Sequence, residues 1–159
     1  MFPAFSDPEA MRHWNTPLVS SVVEVASAIS RSRAASPDMH AAWLAVLKRD
    51  GRTVGFVNYH RRDVQGRCLD IGYLLARPFW GMGLATEAVS ALLSHCFGPL
   101  GVLRAVARVH PDNVASLRLL ARLGFQPLPA SSRSEDAGDG LAAFALDVLD
   151  QARPDRRFP

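Results

Sequence analysis

A strand that runs into a glycine turn and out into a helix restricts this chain more than any other feature. The stretch is 70–88, Asp-Ile-Gly-Tyr-Leu-Leu-Ala-Arg-Pro-Phe-Trp-Gly-Met-Gly-Leu-Ala-Thr-Glu-Ala. Its apolar run breaks at Pro78 and turns through Gly81 and Gly83. It resumes with Ala85, Ala88, Val89, Leu92, Leu93, Cys96 and Phe97 on one helical face. Such a turn aims bare backbone N–H groups and the positive end of a helix dipole at one point. Two glycines keep Cβ atoms out of the way. An anion fits the crook, a pyrophosphate above all. Taken alone, Gly-x-Gly is a weak signal, because glycine pairs punctuate many loops. Position 86 is Thr, so the full Gly-x-Gly-x-x-Gly fingerprint is missing, and no Gly-Lys-Ser/Thr follows.

The 159 residues suit one domain with a real core, expected over 1–150, followed by a charged tail at 151–159. No run of eighteen apolar residues and no charged-then-apolar leader is present, so a cytoplasmic chain and no membrane span are expected. Cys68 and Cys96 each sit in an apolar pattern and read as reduced core thiols. The net charge of +3 comes from arginines scattered among acids. Nucleic-acid binding would want them clustered with aromatics, so it is not expected, whereas a mild positive field that draws in a polyanionic small molecule is compatible.

In chain order, a short helix is expected over 8–14. A second runs from Thr16-Pro17, read as N-cap and first-turn proline, to about Ser32. Runs at 42–49 and 53–61 flank Asp50-Gly51, a hairpin signal, and 67–76 makes a third antiparallel strand. A helix over 84–97 ends at Gly98-Pro99. A strand over 103–110 leads to Asp112-Asn113, which caps a helix over 114–123 stopped by Gly124. Strands at 125–128 and 141–149 bracket a polar loop at 130–140. The fold class is α/β (α+β), with an antiparallel meander leading directly into the glycine turn.

Two motifs in the right order, Trp80-Gly-Met-Gly-Leu-Ala-Thr-Glu-Ala88 and His110-Pro-Asp-Asn-Val-Ala-Ser-Leu-Arg-Leu-Leu-Ala-Arg-Leu-Gly-Phe125, resemble the GNAT superfamily of acyl-CoA N-acetyltransferases. Within it they are most similar to the RimJ/RimL-like branch, as is Phe5-Ser-Asp-Pro-Glu-Ala-Met-Arg-His-Trp14. The chain departs from that branch in starting inside the first helix region, without the strand that usually precedes it. A neighbouring sheet edge should therefore be exposed. A second departure is Pro78, where relatives often open the turn with Arg or Gln. The resemblance implies the GNAT fold, a mixed, mostly antiparallel central sheet flanked by helices, with acetyl-CoA as co-substrate and transfer to a primary amine, of a protein N-terminus or a small molecule, by direct attack in a ternary complex. The alternative is a GNAT-shaped domain that binds acyl-CoA as a sensor or scaffold. The expected partners are the amine acceptor and, as a candidate assembly, a second copy in a homodimer.

Acetyl transfer makes four demands. The resemblance puts the pyrophosphate on Trp80, Gly81, Met82, Gly83, Leu84, Ala85 and Thr86, and the pantetheine arm beside the strand carrying Tyr73, Leu74 and Leu75. A backbone N–H near Leu74 or Leu75 would hold the oxyanion. The amine must lose a proton, and Asp70 is the candidate base, acting through a water, with a solvated strand residue or a partner for an arginine as the alternatives; His60 and His110 are lesser candidates. Finally the thiolate leaves. Many relatives use a tyrosine where this chain has Leu120, and here the RimL-like pattern offers Ser116, one turn after Asn113. Asn113 would orient backbone or cofactor, or simply cap the helix. Trp80 and Phe79 read as packing, and Glu87 as a partner for the helix dipole.

Overall fold

A computed structural model describes residues 1–14, 16–34, 39–129 and 140–151. The elements run α1 (Phe2–Phe5), α2 (Pro8–Met11), α3 (Val22–Ala34), β1 (Ala41–Val46), β2 (Thr53–His60), β3 (Cys68–Leu75), a single 3-10 turn (Arg77–Phe79), α4 (Leu84–Phe97), β4 (Arg104–Val109), α5 (Val114–Leu123), β5 (Gln126–Pro127), β6 (Ala142–Asp147) and α6 (Val148–Gln151). One sheet in the order β1-β2-β3-β4-β6-β5 holds them together. Among the described residues only β3 and β4 pair in parallel, so the sheet is mixed and mostly antiparallel, as the resemblance implied.

The two faces of the sheet are filled differently. Val57, Tyr59, Leu69, Ile71, Ala105, Ala107 and Val109 point to α4 and α5 and meet Val89, Leu92, Leu93, Cys96, Leu119, Leu120 and Leu123 in one continuous core. The α4 stripe read from the sequence is the buried one, with Ser90 added to it. On the opposite face a smaller cluster, Ala4, Met11, Phe56, Leu74 and Ala76, lies under α1 and α2. Phe5 stacks on Phe56 at 5.4 Å and Trp14 meets the same ring edge-on.

Several expected boundaries moved. The first turn of helix at Phe2–Phe5 was not foreseen, and the helix expected over 8–14 stops at Met11. The helix expected from Thr16-Pro17 starts at Val22. The cause is a better cap: Ser21 Oγ accepts the Glu24 N–H at 3.3 Å, while the Glu24 carboxylate takes the Ser20 N–H at 2.9 Å. The hairpin at Asp50-Gly51 is present, but its turn is wider than two residues: Leu47 N–H bonds Arg52 O and Gly51 N–H bonds Leu47 O. The last strand ends at Asp147, where the chain enters α6 instead of continuing to 149. The loop expected at 130–140 falls outside the described residues up to 139, as does the tail beyond 151. β1 is an edge strand with Trp43, Leu44 and Val46 exposed, in keeping with the exposed edge expected.

Candidate active site

The parallel pair β3–β4 opens a gap. Its register runs from Cys68↔Arg104 only to Ile71↔Ala107, while β3 continues to Leu75 and β4 continues to Val109, paired with β6 along its whole length on the other edge. From Gly72 onward β3 has no neighbour on that side. Strand alternation decides which backbone groups face the opening. Ala76 N–H bonds Val54 O at 2.8 Å, and Leu74 O lies against Gly55, so the even positions are spent on β2. Tyr73 and Leu75 therefore direct their N–H and C=O groups into the gap. The oxyanion donor expected near Leu74 or Leu75 narrows to Leu75. Trp80 Nε1 already donates to Leu75 O at 2.8 Å, which steadies that peptide beside the glycine turn.

The turn leads into α4 with Gly83 as N-cap at φ 79, a conformation that suits glycine. No side chain caps this helix. The first intrahelical bond is Glu87 N–H to Gly83 O at 3.1 Å, so the N–H groups of Leu84, Ala85 and Thr86 have no partner within the helix. A Cβ built at Gly81 or Gly83 would meet nothing within 4 Å. This is an open cradle of donors at the positive end of a fourteen-residue helix.

Cradle and gap share one cleft of about 590 Å³. Of the residues expected at the cofactor, Tyr73, Leu74, Leu75, Trp80, Gly81, Gly83, Leu84, Ala85, Thr86, Asn113 and Ser116 line it. Met82 does not, and its side chain is exposed. Asn113 is the N-cap of α5, its Oδ1 accepting Ser116 N–H at 3.1 Å, which leaves the Ser116 hydroxyl to the cleft. The Tyr73 hydroxyl is buried, with the Ser116 side chain as its polar neighbour. Burial pushes this phenol up to about 12, with the nearby Ser116 pulling slightly the other way.

Asp70, expected as the general base, has its carboxylate buried on the α1/α2 side of the sheet, 2.8 Å from Arg108 Nε and 3.7 Å from Arg61, and is not among the residues that line the cleft. The geometry matches the alternative reading, a strand carboxylate paired with arginine. Across β2, burial lowers the pKa of His60, with Asp70 opposing, and its Nδ1 has no partner. His110 Nδ1 accepts Asp112 N–H at 3.2 Å and its ring stacks on His13 at 4.9 Å.

Sequence reasoning missed the four basic cleft residues: Arg12 and His13 beyond α2, and Arg118 and Arg122 on α5. The i, i+4 spacing of the two α5 arginines, opposite the buried Leu119, Leu120 and Leu123, was a usable signal. The position of His13 was not, since it depends on how α2 packs across the sheet. Arg77, beside the turn, is tied to Asp7 at 3.0 Å and fixes α2 to the 3-10 turn. Among the described residues no cluster could hold a metal ion and no helix is long and apolar enough to cross a membrane.

A split parallel pair facing an uncapped helix start, with hydroxyls between, defines an acyl-transfer cleft for a thioester that carries a phosphorylated tail. The comparisons agree. Residues 1–126 match the Acetyltransferase (GNAT) domain. The chain is 31% identical over 127 residues to the N-acetyltransferase YoaA of Bacillus subtilis, covering 79% of this chain and 72% of that protein. Mycobacterium smegmatis RimJ, solved with CoA-disulfide, superposes with TM-score 0.71 at 26% identity over 84% of this chain and 65% of RimJ. A GNAT-family acetyltransferase from Bacillus anthracis shares the fold with TM-score 0.76 at 16% identity, over 92% and 86% of the two chains. The protein belongs to the GNAT family and is an acetyl-CoA-dependent N-acetyltransferase.

Proposed function

We propose that this enzyme moves the acetyl group of acetyl-CoA to a primary amine, of a protein N-terminus or a small molecule, by direct attack within a ternary complex. The observation that carries the reading is the junction of two features in one cleft: the open, uncapped start of α4 and the gap-facing backbone of Tyr73 and Leu75. The residues fit the co-substrate. Gly81, Gly83 and the N–H groups of 84–86 suit its pyrophosphate, and Arg118 and Arg122 add positive charge along α5. The pantetheine arm would lie in the gap as an added strand against β3.

Leu75 N–H would hold the oxyanion that forms on attack; a preorganised donor of this kind contributes about 2.7–4 kcal/mol to barrier lowering. The incoming amine must be neutral. An α-amine, with pKa about 8, gives up its proton more readily than a lysine at about 10.4. His13 is the imidazole that lines the cleft and is our choice for the group that receives this proton, directly or through water. Asp70 holds Arg108 and acts on the sheet, not on the amine. Ser116 offers its hydroxyl to the departing sulfur.

Thiol release from acetyl-CoA, followed over a panel of peptide N-termini, amino acids, polyamines and aminoglycosides, tests the reading. Amine-dependent release supports it. Binding of acetyl-CoA with no acceptor-stimulated release from any member would favour the sensor reading.

A further inference from the structure

The sheet ends differently at its two edges. β5 is two residues long and holds Pro127, which has no N–H to give, so that edge cannot carry a further strand. β1 runs Ala-Ala-Trp-Leu-Ala-Val from 41 to 46, without a charge or a proline. Folded proteins commonly blunt such an edge with a lysine, a proline or a covering segment. Among the described residues no strand pairs with its outer side. What it offers there follows from register. Ala76 N–H bonds Val54 O, so the even positions of β2 turn their backbone to β3, and the odd ones turn it to Ala41, Trp43 and Ala45. Ala42 and Leu44 therefore direct N–H and C=O outward, and a bulge between Ala45 and Val46 ends the regular edge. On one face of the sheet Trp43, 40% exposed, packs against His95 at 5.1 Å and fronts a groove of about 600 Å³ that Ala88, Ala91 and Leu92 also line. On the other face Leu44 is 52% exposed.

We propose that β1 is the contact between two copies of this chain, paired antiparallel about a two-fold axis at Trp43, so that two six-stranded sheets continue as one. Three observations point to a second copy. The first is closure. With β5 unable to pair, a head-to-tail chain of subunits cannot grow through the sheet, and only the contact of β1 with itself is left. The second is that the strand complements itself. With Trp43 opposite its own mate, Ala42 stands opposite Leu44 of the partner subunit, and each such pair exchanges two N–H···O bonds from the outward groups. Size matches as well. Ala42 leaves room for the facing leucine on one side of the sheet, and Ala41 opposite Ala45 leaves room for the two indoles on the other. Facing aromatic rings are favourable cross-strand pairs. The third is area. About 20 Å of edge, across a sheet with α3 on one side and α4 on the other and so about 30 Å thick, offers about 600 Å² per copy, above the roughly 500 Å² per partner of a specific interface.

Sedimentation equilibrium of the full chain, over about 1–100 µM, is the test; a dimer is expected, with a melting temperature that rises with concentration. Leu44→Lys sets a charge on the half-exposed edge, away from the core. It should give a folded monomer, with native far-UV circular dichroism, a dimer Kd raised at least about 100-fold and a melting temperature independent of concentration. Two cysteine variants read the register. Opposed residues of a non-hydrogen-bonded antiparallel pair stand about 4.5 Å apart at Cα, within disulfide reach. Trp43→Cys should therefore form a covalent dimer on mild oxidation. Leu44→Cys, about 8 Å from its own mate, should not, and neither should the parent chain. A monomer at the highest concentration, a dimer untouched by Leu44→Lys, or cross-linking of Leu44→Cys in place of Trp43→Cys overturns the proposal. Hydrogen-exchange protection of the Ala42 and Leu44 amides in a monomer overturns it too, because another segment would then cover the edge.

Discussion

The two faces of the sheet solve different problems. Toward α4 and α5, seventeen buried side chains close into one core, almost all aliphatic, with no buried charge. Toward α1 and α2, five buried apolar residues share the face with Asn58, Asp70 and His60, and the helices that cover them are four residues long. The first face can be judged by stability. The second is held by the carboxylate–arginine pairs of Asp70 with Arg108 and Asp7 with Arg77 and by two aromatic contacts, and borders the acceptor end of the cleft. A fold that must hold a cofactor still while admitting varied acceptors gains from dividing its rigidity this way.

The largest effect should come from the first face. Leu93 is fully buried at the centre of the α4 stripe, and Leu93→Ala should cost about 2.7–5 kcal/mol in urea or thermal unfolding. Met11→Ala, under α2, should fall at the lower end, about 2 kcal/mol, because α2 can settle onto the sheet. If Met11→Ala proved as costly as Leu93→Ala, the division between the faces would fail.

Asp70→Asn comes next. It leaves the half-buried Arg108 without its carboxylate and should destabilise by about 3 kcal/mol. The folded enzyme should keep the pH profile of kcat/KM, because the substitution touches the sheet and not the amine. Loss of the acidic limb of that profile would return Asp70 to the role of base. Gly83→Val probes the cradle. A branched side chain at φ 79 adds local strain of about 1–2 kcal/mol and puts methyl groups into the anion site. The Kd for acetyl-CoA should rise at least about tenfold, which is about 1.4 kcal/mol.

The smallest effect is a pH dependence. His60 has its folded pKa lowered by burial, so below about pH 6.5 the unfolded chain takes up a proton that the native one refuses. Stability should therefore fall as pH drops through that region and recover above it. His60→Gln should flatten this slope in denaturant midpoints measured at pH 5.5 and 7.5.

How legible was this in the sequence? The cradle was, because glycine, proline and helical periodicity act over a few residues and leave local marks. Gly81, Gly83 and the Ala85–Cys96 stripe needed nothing beyond their neighbours. The caps at Asn113 and Gly124 were local too. Where contacts are distant in sequence, the reading thinned. Asp70 and Arg108 are 38 residues apart, and nothing nearby says that one neutralises the other. The approach of His13 to His110 depends on the way α2 crosses the sheet. The start of α3 failed differently: Thr16-Pro17 is a fair cap, but Ser21 with Glu24 is a reciprocal one, and the stronger local arrangement won.

The central claim is that the start of α4 grips the diphosphate while the gap beside β3 takes the acyl arm. Calorimetric titration of the protein with acetyl-CoA and with acetyl-pantetheine, which lacks the nucleotide and its phosphates, tests it most directly. The account predicts saturable binding of acetyl-CoA and at least about tenfold weaker binding of acetyl-pantetheine. Equal affinity for both compounds, or no heat with either, would contradict it.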